Sequence, residues 1–119
     1  MKQLSEFTDE RGVQVAADVL CALTNIRKNE KNKKYFESGK DLTVAEMLSE
    51  AMKNTPEEMM KIFAVLSEKD PAEYHCTASE AMINTMLLAA DNSFLLLFIS
   101  QSREAKAATS SGSVSESAN

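Results

Sequence analysis

The chain has 119 residues, 44% of them hydrophobic and 26% charged, which suits one globular domain and excludes global disorder. Three Gly, two Pro, five Phe, two Tyr and no Trp are too few turn-formers and aromatics for an all-β fold, so an all-α domain is expected. The net charge of −5 repels phosphate and disfavours non-specific nucleic-acid binding. The longest apolar run, Phe94 to Ile99, spans ~9 Å as a helix and falls far short of a membrane. Residues 1–6 lack the apolar core of a secretory signal, and two cysteines without one read as free thiols of a reducing cytoplasm.

The first helix is expected from about Asp9 to Asn29. Thr8 or Asp9 caps its start, and Val13, Ala16, Val19, Leu20, Leu23 and Ile26 form its apolar stripe. Gly12 weakens its first turn. Residues 27–40 hold six cations (Arg27, Lys28, Lys31, Lys33, Lys34, Lys40) against Glu30 and Glu37, a balance of +4; with −5 overall, the remainder carries −9. This block reads as a solvated face that either extends the first helix or forms a short second one. Tyr35 and Phe36 are expected to tuck onto the core, and Gly39 suits a left-handed stop.

Thr43-Val44-Ala45-Glu46 is a capping box, opening a helix whose stripe is Val44, Met47, Leu48, Ala51 and Met52. Thr55-Pro56-Glu57-Glu58 repeats the signal with proline at the first helical position, before Met59, Ile62, Phe63 and Leu66. Asp70-Pro71-Ala72-Glu73 predicts one short turn. Thr77-Ala78-Ser79-Glu80 opens a helix carrying Met82, Ile83, Met86, Leu87 and Ala90. Asp91-Asn92-Ser93 breaks the pattern and caps a last helix through Phe94, Leu95, Phe98 and Ile99 to about Ser102. Residues 104–119 contain five Ser, four Ala and no large apolar residue except Val114. They are expected to form a disordered tail after a compact domain of five to six short helices over 1–103.

Chemistry-bearing motifs are scarce. His75 is the single histidine; with Cys76 and Cys21 it falls short of a zinc ligand set, so no metal or other cofactor is expected. Asp9-Glu10 and Glu57-Glu58 sit at helix starts, where acids favour the helix dipole. Arg11, Arg27 and Arg103 lie on three segments and do not converge as an anion site would require. No phosphate loop, HExxH or GxSxG occurs, and no catalytic residue is expected. Two features point to protein binding instead. Six methionines (Met47, Met52, Met59, Met60, Met82, Met86) fall on helices, and methionine adapts to varied partners. The Phe94–Ile99 helix, apolar all round, needs a cover that a small domain cannot supply alone. The candidate partner-contacting set is therefore Met47, Met52, Met59, Phe63, Met82, Met86, Phe94, Leu95, Phe98 and Ile99.

The run Val65-Leu66-Ser67-Glu68-Lys69-Asp70-Pro71-Ala72-Glu73-Tyr74, then Thr77-Ala78-Ser79-Glu80-Ala81-Met82, then Leu87 to Asn92 and Phe94-Leu95-Leu96-Leu97-Phe98, resembles the short helical tail assembly chaperones of long-tailed, siphophage-type bacteriophages and prophages. The resemblance covers roughly residues 8–102 and is best over 56–99, with Ala72 where the family pattern has glutamate. It implies a non-enzymatic chaperone of the host cytoplasm, absent from the finished virion. Such a chaperone coats the tape measure protein and helps recruit the major tail protein, and the longer form many of them have arises by frameshifting. Repeated copies along one client call for a surface that also pairs with itself, so a homo-oligomer is expected, with the last helix, Phe94–Ile99, as the candidate surface. The competing reading is a small helical adaptor or transcription regulator, for which residues 27–34 are the one candidate recognition segment.

Overall fold

A computed structural model of the chain describes residues 1–38 and 40–110. It contains six α-helices: α1 (Asp9–Lys28), α2 (Glu30–Phe36), α3 (Val44–Asn54), α4 (Pro56–Leu66), α5 (Ala78–Ala90) and α6 (Asn92–Ser110). Single 3-10 turns at Leu4–Glu6 and Pro71–Glu73 complete the regular structure, and no strand occurs among the described residues. The all-α class and the helix number agree with the sequence reading. The expected boundary at residue 103 falls inside α6, which continues to Ser110. Gly39 and the remainder of the expected tail, 111–119, lie outside the described residues.

Most helix starts follow the capping chemistry. Thr43 Oγ1 accepts from the Glu46 amide at 3.1 Å while Glu46 Oε1 accepts from the Thr43 amide at 2.8 Å. Thr77 and Glu80 repeat that box at the head of α5. At α4 the expected box does not form. Thr55 turns its hydroxyl back to donate to the Ala51 carbonyl at 2.6 Å, and Pro56 alone starts the helix. The basic block becomes a separate helix because Asn29 caps α2, its side chain accepting from the Asn32 amide. Lys28, Lys31, Lys33 and Lys34 are exposed, whereas Asn32 between them is fully buried. Asn32 Nδ2 donates to the Ile26 carbonyl (2.9 Å) and Thr55 Oγ1 (3.2 Å), and its Oδ1 accepts from Asn54 (3.0 Å). One amide thus ties the α1–α2 joint to the α3–α4 joint.

The core is built on α1 and α4, which pack along each other; Asn25 near the end of α1 donates to Glu58 near the start of α4. Val15, Val19, Ala22, Leu23 and Ile26 are the buried face of α1, with the spacing of a single helical stripe. The expected stripe was rotated from this one: Val13 is 71% exposed and Leu20 is also at the surface, because the 15–19–22–26 ridge faces α4 and α6. Met59, Ile62, Phe63 and Leu66 of α4 complete the centre. Phe36 does tuck in, edge-on to Phe98 with ring centroids 6.1 Å apart, and Phe94 stacks on Phe98 at 5.8 Å.

The N-terminal residues, unassigned in the sequence reading, strap across the helices. The Lys2 amide donates to the Leu66 carbonyl at 2.7 Å, and Phe7 is buried. Gly12 admits this strap: a Cβ there would lie 2.8 Å from the Phe7 carbonyl oxygen. Buried Asp91 anchors the strap at its other contact. Its Oδ2 accepts from the Leu4 amide at 2.9 Å, while Oδ1 accepts from the Ser93 and Phe94 amides and caps α6. The chain turns by 88° between α5 and α6 at this residue.

Candidate partner-binding groove

Helix α5 docks the wrong way round for a core helix. Its inner side carries two polar residues that bond within the domain. Asn84 Nδ2 donates to Tyr74 Oη at 3.0 Å, and Thr85 Oγ1 donates to the Ala81 carbonyl at 2.7 Å with Met52 Sδ 3.1 Å away. Burial holds the Tyr74 phenol above its ordinary pKa, so it stays neutral at physiological pH. Leu88 is the one buried residue of α5. The apolar stripe faces water instead: Met82 is 65%, Ile83 56%, Met86 70% and Leu87 44% exposed. Scattered exposed apolar side chains need no explanation, but four contiguous ones on a single helix face do.

Beside this stripe runs an open groove of about 310 Å³ between α3 and α5. Leu48 and Met52 form its α3 wall, Met82, Met86 and Ala89 its α5 wall, and no charged side chain lines it. Met52 is shared with an adjoining hollow of about 190 Å³ between α4 and α5, bordered by Met59, Met60 and Phe63 with Cys76 and Ala81 beside them. Together they make an apolar trough with a methionine-rich lining, suited to an amphipathic helix whose apolar residues recur every three or four positions.

The structure divides the ten expected partner-contacting residues. Met52, Met82 and Met86 line the α3–α5 groove. Met59 and Phe63 border the adjoining hollow but are each only 2% exposed, so their main role is the core. Met47, Leu95 and Ile99 are half-buried elsewhere, on α3 and α6. Phe94 and Phe98 correct the expectation outright: both are core residues, at 0% and 2% exposure. The last helix is short of polar residues because α1, α2 and the N-terminal strap cover much of it, leaving Leu96 as its exposed large apolar residue. Ile83, Leu87 and Ala89 were left out of the candidate set; Ile83 and Leu87 lie on the same apolar stripe as Met82 and Met86, and that stripe faces water. The signal that separates the two faces is the pair Asn84 and Thr85, whose hydrogen-bonding capacity has to be satisfied if that side is buried.

Other concave regions have a different character. One of about 520 Å³ between α1 and α4 is lined by interspersed charges, among them Arg11, Asp18, Glu58, Lys61 and Lys69. His75 is exposed and Cys76 half-buried, and no cluster of three or more His, Cys, Asp or Glu residues suited to a metal occurs among the described residues. No single described helix is long and apolar enough to cross a membrane. No family model matches the chain, and neither a characterised protein nor a solved structure shows significant similarity to it.

Proposed function

We propose that this protein is a non-enzymatic tail assembly chaperone of a long-tailed phage or prophage. It holds apolar helical segments of the tape measure protein in the α3–α5 trough and helps recruit the major tail protein before the tube polymerises. It works in the host cytoplasm and leaves before the virion is complete. The observation that carries the reading is the inverted docking of α5, with Asn84 and Thr85 inward and Met82, Ile83, Met86 and Leu87 outward. A helix held in place by hydrogen bonds while it presents an apolar stripe is a surface built for an apolar partner rather than for the domain's own core. The methionine lining favours a client whose apolar residues vary along its length, as those of a long helical protein do. The sequence resemblance over residues 56–99 spans α4, α5 and the start of α6, the segment that builds much of this trough.

The test is co-expression of the full chain with the tape measure protein encoded beside it. Wild type is expected to keep that protein soluble and to co-purify with it. Met82→Glu with Met86→Glu is expected to abolish capture, because each carboxylate would be desolvated in the complex but hydrated in the free protein. Unchanged far-UV circular dichroism shows that the variant is folded. Undiminished capture by the folded double variant would remove the trough from the function.

A further inference from the structure

We infer that the outer face of α2 docks an acidic helical segment of a partner protein, held by Lys28, Lys31, Lys33 and Lys34. All four lysines are exposed. None takes part in an ion pair among the described residues, where the pairs are Lys2–Glu68 and Lys61–Glu58. A solvated face needs no fixed shape, but this one is fixed. A helix as short as α2 does not hold itself together in water. Asn29 caps its start, buried Asn32 bonds Ile26, Thr55 and Asn54, and Phe36 meets Phe98 edge-on. Lys31 and Lys33 flank Asn32 in the chain, so the ties that hold the amide also fix the backbone that carries the lysines.

Charge selects an anionic occupant. Residues 27–40 carry +4, a balance that already counts Glu30 and Glu37. At the neighbouring α3–α4 joint, Glu50 accepts from Asn54, and Glu58 accepts from Asn25 and Lys61. Glu57 stands in the first turn of α4, where the helix dipole favours it, and Lys53 adds an exposed cation. The dipole accounts for Lys33 and Lys34 in the last turn of α2 but opposes Lys31 in its first turn. Lys31 and Lys34, three residues apart, also repel each other. An anion on the face relieves both. Nucleic acid fits less well: Arg27 and Tyr35 are half-buried, so the face offers bases no freely exposed guanidinium or ring. The −9 on the rest of the chain repels an extended phosphate backbone, whereas a short acidic segment touches only the face. Lys31 and Lys34 are set ~4.5 Å apart along the axis, close to the spacing of carboxylates three or four residues apart on a helix laid alongside. The inference goes beyond the chaperone reading. None of the four lysines lines the trough, so the two surfaces do not compete.

Amide NMR of the full chain tests the docking face. The probe is a helical peptide of about 12 residues with glutamates at every third or fourth position. At about 50 mM salt it is expected to bind with a Kd of about 10–300 μM, and at least ~10-fold more weakly at about 300 mM salt. The largest shifts are expected over residues 28–37. Lys31→Gln with Lys34→Gln is expected to weaken binding at least ~10-fold with an unchanged circular dichroism spectrum, since both positions are exposed. Met82→Glu with Met86→Glu is expected to leave the affinity within about twofold, which separates this face from the trough. Absence of binding at ~1 mM peptide and low salt would overturn the inference. So would shifts centred on Lys53, Lys61 or Lys69, or equal binding by the folded glutamine variant. Tighter binding of a single-stranded RNA of about 12 nucleotides at the same salt would overturn it too, and would assign the face to nucleic acid.

Discussion

Replacing Phe98 separates a core role from a binding role with a large signal. Its ring is 2% exposed, stacks on Phe94 and meets Phe36 edge-on. A buried phenylalanine removes about 200 Å² from water, worth ~5 kcal/mol at ~25 cal/mol/Å² as an upper figure. Truncation to alanine returns most of that and leaves a cavity, so Phe98→Ala is expected to cost about 3–5 kcal/mol. In a domain of this size each kcal/mol lowers the melting temperature by ~4–8 °C, so a fall of roughly 15–30 °C is expected. Phe98→Asp adds a carboxylate without a partner in the same site, and the sum reaches the ~5–15 kcal/mol that holds a domain together. The aspartate variant is therefore expected to lose its helical signal at 25 °C rather than remain a folded protein with weakened association. Thermal melts followed at 222 nm measure both changes. A Phe98→Asp protein that keeps wild-type helicity would refute the placement of this ring in the core.

Asp91→Ala removes the cap of α6 and the acceptor for the Leu4 amide, and is expected to cost about 2–4 kcal/mol. Faster hydrogen exchange at Leu4, Ser93 and Phe94 would mark the loss; unchanged exchange there would contradict the anchor. Gly12→Ala is expected to destabilise by about 1–3 kcal/mol, despite alanine's ~1 kcal/mol better helix propensity, because its Cβ would meet the Phe7 carbonyl. A higher melting temperature would refute the contact. The Glu46 carboxyl is held below its ordinary value of 4.5 by the Thr43 amide and hydroxyl, and that of Glu68 by Lys2, 2.8 Å away. Lowered in the folded state, both stabilise the fold fully above about pH 4.5 and lose that contribution as pH falls through their folded values. Melting temperature is therefore expected to fall below pH 4.5, and less steeply in a Glu46→Gln, Glu68→Gln variant; parallel curves would contradict the shifts.

The parts of the fold legible in the sequence are those set by local chemistry. The Thr43–Glu46 and Thr77–Glu80 boxes and Pro56 place three helix starts because cap and backbone lie within four residues of each other. What long-range contacts decide was not legible. Asn32 looks like one more polar residue in a lysine-rich run, yet Ile26, Asn54 and Thr55 converge on it. Asp91 reads as a helix breaker, and its second oxygen serves an amide 87 residues away. Of the residues read as partner-contacting, Met52, Met82 and Met86 line the α3–α5 groove, whereas Phe94 and Phe98 are in the core. Apolar periodicity reports a face that avoids water without saying whether the domain or a partner covers it. For α5 and α6 that choice depends on Asn84, Thr85 and the N-terminal strap, which hydropathy does not weigh.

Methionine-methyl NMR on the full chain tests the trough most directly. The seven methionines give separate probes: Met52, Met59, Met60, Met82 and Met86 line the trough, and Met1 and Met47 lie outside it. Recorded at a fixed, low protein concentration, titration with helical segments of the tape measure protein is expected to shift Met52, Met82 and Met86 most and to leave Met47 in place. Binding that shifts none of these three would contradict the account.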